Sequence, residues 1–238
     1  VTGVTALAAP STVDLPSVNI DIGGAGSSSD YVSNIKLLIF FTILSLLPAI
    51  IIMVTSFTRI VVVFSFLKNA LGASQSIPSQ VLTGLAIFLT LFIMQPVYSQ
   101  MNEDAIQPYL NNTITQEEAI EKGGKPLREF LLNQTRKKDL ELFLELSGAD
   151  TSEMTEENVP FYIVIPAFAI SELKTAFAIG FLLYLPFLLI DIVVGSVLMS
   201  MGMMMLPPAM VSLPFKLLLF VMVDGWYLLV KSLVMSFS

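Results

Sequence analysis

The sequence predicts an all-α protein of the integral-membrane type, and three observations lead to that fold class. Hydrophobic residues make up 55% of the 238-residue chain and charged residues only 13%, whereas a soluble domain carries about a quarter charged residues. The mean hydropathy is +0.79. Apolar segments of roughly bilayer-spanning length recur along the chain, without the alternation that is typical of strands. We therefore expect apolar helical hairpins and one polar helical insert.

The composition also excludes several classes of function. The chain has no Cys and no His, so it lacks a thiolate nucleophile, the commonest general base and the commonest transition-metal ligand. It contains no P-loop, and no basic patch suggests nucleic acid. We therefore predict a protein that is not an enzyme, with no catalytic residue, metal, cofactor or nucleic-acid partner.

Four regions of the chain differ in composition. Residues 1–30 are rich in Gly, Ser, Pro and Asp, which predicts a flexible lead that follows a removed signal sequence. Residues 31–98 are predicted to form N-terminal apolar helices, and residues 159–238 C-terminal apolar hairpins with a methionine-rich loop. Between them, residues 99–158 form an acidic polar insert with thirteen acids and six bases. The charges in the rest of the chain cancel.

Long apolar segments predict the order of the membrane-type helices. They are Ile35–Val54, Val81–Val97, Thr175–Met199 and Leu213–Val234. Pro48 should kink the first segment, and "SELK" at 171–174 should separate the third from the apolar residues before it. Arg59 and Lys68 follow the first segment, so the positive-inside rule places that connection in the cytoplasm and the acidic insert on the opposite side. The methionine-rich loop then returns to the cytoplasmic side.

The insert is predicted to be helical. Thr115 followed by Glu118 fits a capping box, while Pro126 suggests a helix start and Gly148 a helix end. Its helices carry two apolar faces, one with Leu127, Phe130 and Leu131 and the other with Leu140, Phe143 and Leu144. A small self-packed hairpin and a surface for a partner both fit these faces.

Charged residues interrupt the apolar C-terminal region, where a charge at bilayer depth costs several kcal/mol. They are Glu172, Lys174, Asp191, Lys216 and Asp224. If the helices on either side of the methionine-rich loop form an antiparallel hairpin, Asp191 and Lys216 lie at similar depth, because both are equally far along the chain from the loop. Glu172 and Lys231 satisfy the same condition. We therefore predict an oriented hairpin whose paired charges form a polar seam between subunits; the alternative is that each charge reaches an interface alone.

The methionine loop, residues 201–208, reads "MGMMMLPP". Gly202, Pro207 and Pro208 should restrict it to a short non-helical excursion. Met203, Met204 and Met205 carry flexible, polarizable thioether side chains that fill irregular gaps. A ring of such loops from several subunits could close on itself and part around cargo of varied sequence. Alternatively, the loop fills a core or touches lipid headgroups.

Two rival functions fit parts of the sequence. An intramembrane aspartyl protease would use Asp191 and Asp224 as a pair of carboxylates that share a proton, but "LIDIV" and "VDGW" lack the Tyr-Asp and Gly-x-Gly-Asp patterns of such enzymes. A secondary transporter would need a substrate site between broken helices, often with internal repeats. The sequence shows no such repeat.

Several long stretches resemble one family. They are "TSFTRIVVVFSFLKNALG", "PSQVLTGLAIFLTLFIMQPV", "IPAFAISELKTAF", "GFLLYLPFLLIDIVVGSVLMSMGMMMLPP" and "LPFKLLLFVMVDGW". Together they cover most of residues 54–97 and 163–226, and runs of this length are very specific. The chain resembles the FliP family of flagellar type III export gate proteins, which is related to the SctR proteins of injectisomes.

The resemblance implies a function that composition alone does not. FliP-like proteins form a helical oligomer, expected to contain a pentamer of FliP-like chains, with FliQ-like and FliR-like subunits and other export apparatus proteins. The complex forms the entrance of the channel through which unfolded flagellar proteins are secreted. By resemblance, Met203, Met204 and Met205 form a gasket, and the five charges listed above lie between subunits or in the lumen.

The resemblance also implies a location. It places the chain in the bacterial inner membrane and the flagellar basal body, in contact with lipid. Together with the positive-inside argument above, this puts the insert on the periplasmic side. The assembled complexes of the family hold much of their helical mass above the bilayer plane, so that apolar segments are buried against neighbouring subunits.

Overall fold

A computed structural model describes residues 28–72, 77–148, 158–203 and 206–237 of the chain. All regular structure in these residues is helical, which confirms the predicted all-α class. Residues 1–27 of the predicted lead lie outside the described residues, as do Met204 and Met205. The chain divides into two compact units, residues 1–47 and residues 48–238.

The helices follow one another with short connections. They are α1 (Ser28–Met53), α2 (Phe57–Ala70), α3 (Ser79–Met101), α4 (Gln107–Leu110), α5 (Gln116–Gln134), α6 (Lys137–Ser147), α7 (Phe161–Ser200), α8 (Pro208–Met222) and α9 (Gly225–Met235). A single π-helical turn, Asn102–Ile106, joins α3 to α4 without a break. Two helices, 79–110 and 161–200, are long and apolar enough to cross a membrane, and there are up to four spans in the described part of the chain if each bent helix pair counts as one.

The first unit contains most of α1. Its hydroxyl side chains bond within the helix: Thr42 donates to the carbonyl of Leu38 and Ser45 to that of Thr42, both at 2.8 Å. Such local bonds satisfy polar groups in an apolar helix. Helix α1 continues through Pro48, where the sequence predicts a kink, and ends at Met53.

Helix α2 lies at the centre of the second unit. Ile60, Val63 and Leu67 on this helix are completely buried. Around them pack residues of four other helices, which include Leu82, Ala86, Ala176, Phe187, Phe220, Leu229 and Leu233. The sequence predicted a cytoplasmic connection at Arg59 and Lys68. This stretch is instead the main core helix, α2, because its apolar residues pack against other helices on several sides.

Helix α7 is a continuous helix of 40 residues. The sequence predicted an interruption at 171–174, and this prediction was wrong. Ser171 and Glu172 are fully buried and bonded to side chains of other helices, so their polar groups do not require a loop. Gly180 lets α7 approach α2 closely, because a Cβ at this position would lie 2.5 Å from the ring of Phe66.

The insert packs on α7 of its own chain. Both predicted apolar faces, on α5 and α6, contact the second hydrophobic cluster, whose buried residues include Leu131, Ile163, Val164 and Phe168. The capping box at Thr115 and the helix end at Gly148 are confirmed, the latter with a left-handed backbone. The start at Pro126 was wrong: Pro126 lies inside α5, because the helix already begins at the Thr115 cap.

The last apolar segment is broken. Helices α8 and α9 are bent by 64° at Val223–Asp224, where Asp224 has a positive φ of 51°. Gly225 follows the break, and a Cβ there would lie 2.2 Å from the ring of Phe220. This close approach leaves room for glycine alone at position 225.

Candidate functional site

The methionine loop begins at a well-defined helix end. Gly202 has a φ of 75°; its N–H donates to the carbonyl of Met199 at 3.1 Å, and the N–H of Met203 donates to that of Leu198 at 3.0 Å. These two bonds form a Schellman motif, which ends helices at a left-handed glycine. At the other end of the loop, Pro208 is the first residue of α8, a position where its missing N–H costs nothing.

The described methionines in and beside this loop face outward. Met199, Met201 and Met210 are 61%, 67% and 73% exposed, and Met203 is 41% exposed. A loop that fills the core of its own chain would bury these side chains. The described part of the loop therefore does not serve as internal packing.

Two helices next to the methionine loop are joined by a charged cluster. Lys216 on α8 donates to Asp191 on α7 at 2.6 Å and to the carbonyl of Ala70 at 3.0 Å. Ser212 donates to the other carboxylate oxygen of Asp191 at 2.5 Å. Ala70 ends α2, and a cation at a helix C-terminus interacts favourably with the helix dipole.

The predicted pairing of Asp191 with Lys216 is thus confirmed within one chain, whereas the predicted seam between subunits stays a prediction. For these two residues the alternative, in which each charge reaches an interface alone, was wrong. Lys216 is buried and Asp191 is partly exposed, so the pair lies at the edge of the packed interior. The contact fixes the relative position of α7 and α8, and hence of the two ends of the methionine loop.

A second ion pair joins α2 to α7. Nε of Arg59 donates to Oε2 of Glu172 at 2.9 Å, and Nη2 also contacts Oε1. Both residues are almost completely buried. The depth argument had instead matched Glu172 with Lys231, whose ammonium lies 5.7 Å from the ring centre of Tyr227. That argument assumed one straight helix after the loop, and the break between α8 and α9 invalidates it.

The guanidinium of Arg59 also holds the C-terminal end of the described chain. Nη1 donates to the carbonyl and the hydroxyl of Ser236 at 2.8 and 2.9 Å, and Nη2 donates to Oε1 of Gln134 at 3.0 Å. The ring of Phe237 lies 3.7 Å from Cζ. Arg59 therefore connects α2, α5, α7 and the residues after α9.

This network corrects the orientation argument. The positive-inside argument uses Arg59 to mark the side of the membrane opposite to the insert, yet Arg59 bonds directly to Gln134, which belongs to the insert. Lys68, at the far end of α2, donates to Ser79 at 2.9 Å, and the same end of α2 meets Lys216. The base that accompanies the methionine loop is thus Lys68 and not Arg59.

A third polar contact joins the insert to α7. Ser171 donates to the carboxylate of Asp139 at 2.7 Å and accepts from the backbone N–H of Arg136 at 3.1 Å. Both side chains are buried. This contact and the Arg59 network lie on adjacent residues of α7, so polar bonds as well as apolar packing fix the insert.

A family model described as the FliP family matches residues 40–233. The chain belongs to the FliP family. It is 52% identical to the flagellar biosynthetic protein FliP of Bacillus subtilis strain 168, over 92% of this chain and 98% of that protein. It is 48% identical to that of Aquifex aeolicus, over 94% and 92%, and 50% identical to that of Buchnera aphidicola from Acyrthosiphon pisum, over 94% and 59%.

Membership of the FliP family settles the broad function. The chain is a component of flagellar protein export and not an enzyme, and other proteins of the export apparatus are its partners. Its apolar helices fit a location in the inner membrane. No group of three or more acidic side chains that could hold a metal occurs in the residues that the structure describes.

The remaining predicted charges of this FliP-family chain stay apart. Lys174 and Asp224 are exposed, and neither forms an ion pair with the described residues. Asp191 is bonded to Lys216 and Ser212, not to Asp224. Within the described residues, Asp191 and Asp224 therefore do not form the pair of adjacent carboxylates that an aspartyl protease needs.

Sequence reasoning missed the pairing of Arg59 with Glu172, the role of Gln134 and the contact between Asp139 and Ser171. One signal was available for Arg59: Glu172 lies in an apolar stretch and needs a cation, and Arg59 lies in another apolar stretch. No local pattern indicated Gln134 or Asp139, because their partners are distant in sequence.

Proposed function

We propose that the chain is a core subunit of the flagellar export gate. Several copies, a pentamer by resemblance, assemble with FliQ-like and FliR-like subunits and form the entrance of the channel for unfolded flagellar proteins. Met203, Met204 and Met205 of each copy form a gasket that closes this channel to ions at rest. The injectisome SctR proteins would share this arrangement.

The observation that carries the proposal is the geometry of the methionine loop. Its preceding helix ends in a Schellman motif at Gly202, and a buried lysine fixes the helix after it. The described methionines are nevertheless exposed. A loop with fixed ends and exposed, flexible thioether side chains is suited to contact a second surface that changes shape.

The exposed apolar surface of α7 supports assembly with other subunits. Phe181, Leu182, Leu189 and Val193 are each at least 60% exposed, and contiguous apolar surface of this kind marks contact with protein or membrane. Asp191 and Lys216 already pair within the chain, so they contribute to assembly by fixing the loop. Lys174 and Asp224 are the charges available for contacts between subunits or for the lumen.

For the location we propose the inner membrane within the basal body, with the insert on the periplasmic side. The insert packs on the first turns of α7, and the methionine loop follows its last turn. The two therefore lie at opposite ends of one helix. Lys68 and Lys216 are near the loop end, which agrees with a cytoplasmic position for that end.

The gasket is tested by changing Met203, Met204 and Met205 to Ala together. We expect resting membranes that contain the variant complex to leak small ions, because three short side chains leave a gap that the thioethers filled. The measurement is the ion conductance of the purified complex in planar bilayers. Met222→Ala is the matched control, since Met222 is 75% exposed but lies at the far end of α8.

Two results would contradict the proposal. One is an unchanged conductance in a triple variant that still assembles. The other is a single copy of the chain in the particle purified in mild detergent, measured by its mass, because a lone loop cannot close a channel.

A further inference from the structure

An open apolar groove of about 520 Å³ crosses the insert. One wall is α5, and the other is formed by the end of α3, the π-helical turn and α4. Its lining includes Ile106, Tyr109, Leu110, Ile120, Leu127 and Phe161. The groove is separate from the methionine loop and from both ion pairs.

Small residues bring the two walls of the groove together. A Cβ at Gly123 would lie 3.2 Å from the Cβ of Ala105, and one at Gly124 would lie 3.5 Å from the ring of Phe161. Two successive glycines normally weaken a helix, but here they allow close approach. Ala105 lies in the π-helical turn, a feature that often occurs at functional sites.

Large apolar side chains in the groove remain uncovered. Leu110 and Ile120 are 66% and 68% exposed, and Ile106 and Tyr109 are nearly half exposed. The predicted apolar faces of α5 and α6 are, by contrast, packed on α7. The groove is thus an apolar surface of the insert that the described residues of the chain do not fill.

Acidic side chains surround these apolar residues in the sequence and are all exposed. They are Glu103, Asp104, Glu117, Glu118 and Glu121. Residues 101–124 contain these five acids and one base, Lys122. Within the described chain, none of the five forms an ion pair. The groove therefore combines an apolar lining with exposed acidic side chains on the helices that form it.

We propose that this groove binds an amphipathic helix of another polypeptide, with apolar residues on one face and Lys or Arg beside them. A helix laid between two helices presents its apolar residues at i, i+3, i+4 and i+7, and basic residues on its flanks complement the exposed acids of the helices that form the groove. A second copy of the insert is disfavoured because it carries the same excess of seven negative charges. An anionic lipid surface is disfavoured for the same reason. The proposal is independent of the gasket.

The test uses the full complex in mild detergent and two labelled helical peptides of about four turns. The peptides share one leucine face; one has Lys and Arg on its flanks and the other has Glu. Binding is measured by fluorescence anisotropy to the native complex and to the variants Ile120→Asp, Leu146→Asp and Glu117→Lys/Glu121→Lys. Leu146 is the matched control, because it is 71% exposed on α6 and does not line the groove.

We expect the basic peptide to bind and the acidic peptide not to bind. Ile120→Asp and the double charge reversal should each weaken binding by about tenfold or more, whereas Leu146→Asp should leave it unchanged. Binding should also weaken between about 50 and 300 mM salt, because screening shortens the reach of exposed charges.

Four results would overturn the proposal. The first is no binding of the basic peptide, and the second is equal binding of both peptides. The third is binding that Ile120→Asp and Leu146→Asp weaken alike. The fourth is a different occupant: anionic vesicles, or a second complex, that bind the native protein but not the Ile120→Asp variant.

Discussion

Arg59 and Glu172 form a buried bidentate ion pair although 113 positions separate them in the sequence. Burial of two charges is costly, and the pair is stable only because further hydrogen bonds satisfy the remaining donors. Those bonds go to Gln134 and Ser236. The pair thereby determines where the insert and the C-terminal residues lie against α2 and α7.

We predict that either Arg59→Met or Glu172→Leu lowers the free energy of unfolding by about 3–5 kcal/mol, because each leaves a buried charge without its partner. The double variant should lose clearly less than the sum of the two single losses. Unfolding of the detergent-purified protein, followed by circular dichroism, measures this. Lys68→Met, on the same helix and only half-buried, is the control and should have a small effect. Additive losses would show that the two charges do not depend on each other.

The pair near the methionine loop leads to a charge-swap prediction. Lys216→Glu should reduce the yield of assembled complex, because two carboxylates then face each other in a partly buried site. Addition of Asp191→Lys should restore part of the yield. The rescue is partial, since a glutamate at position 216 cannot donate to the carbonyl of Ala70. Size-exclusion chromatography measures the assembled fraction.

The control for this swap replaces a charge that lies elsewhere. Asp224→Lys in the Lys216→Glu background should give no rescue, because Asp224 is exposed at the break between α8 and α9. Equal rescue by both second changes would indicate an effect of net charge rather than of the Asp191–Lys216 contact.

Two glycines inside helices should respond oppositely to alanine. A Cβ at Gly180 would meet Cβ, Cγ and Cδ2 of Phe66 at 2.5–2.9 Å, whereas nothing lies within 4 Å of one at Gly84. Gly180→Ala should therefore destabilise the protein by about 1–3 kcal/mol through overpacking. Gly84→Ala should stabilise it by about 0.5–1 kcal/mol, since alanine restricts the unfolded chain. Melting temperatures in detergent distinguish the two; a shift in the same direction for both would contradict the close approach of α7 to α2.

The capping box of α5 is expected to stabilise that helix locally. Thr115 Oγ1 accepts from the N–H of Glu118 at 3.3 Å, and Glu118 Oε2 accepts from the N–H of Thr115 at 3.0 Å. Thr115→Ala should cost about 1 kcal/mol and increase hydrogen exchange of the first amides of α5. Thr115→Ser keeps the hydroxyl and should preserve protection. Unchanged exchange in the alanine variant would mean that water replaces the cap.

Local rules predicted the parts of the fold that depend on neighbouring residues. The capping box, the end of α6 and the apolar faces of the insert follow from spacing along one helix. The Asp191–Lys216 contact also follows from spacing, because both residues lie on helices that flank one loop and extend unbroken as far as these positions. The same spacing argument fails for Lys231, because α8 ends at Met222 and Lys231 lies beyond the break, on α9.

The contacts of Arg59 could not be predicted in this way. Its partners come from the insert, from α7 and from the last residues, and no periodicity relates such distant segments. The prediction of a break at "SELK" was wrong for a related reason. Polar residues within an apolar run can indicate either a loop or side chains that are buried against polar partners. Burial of Glu172 against Arg59 decides between the two.

The length of α7 has a mechanical consequence. Its 40 residues extend about 60 Å, roughly twice the ~30 Å hydrocarbon thickness of a bilayer, so a helix of this length that crosses the bilayer close to its normal extends well beyond the hydrocarbon. Its first turns are held in the insert, and its last turn leads into Gly202. A tilt of this helix by about 10° around its midpoint would therefore displace its two ends by about 5 Å in opposite directions.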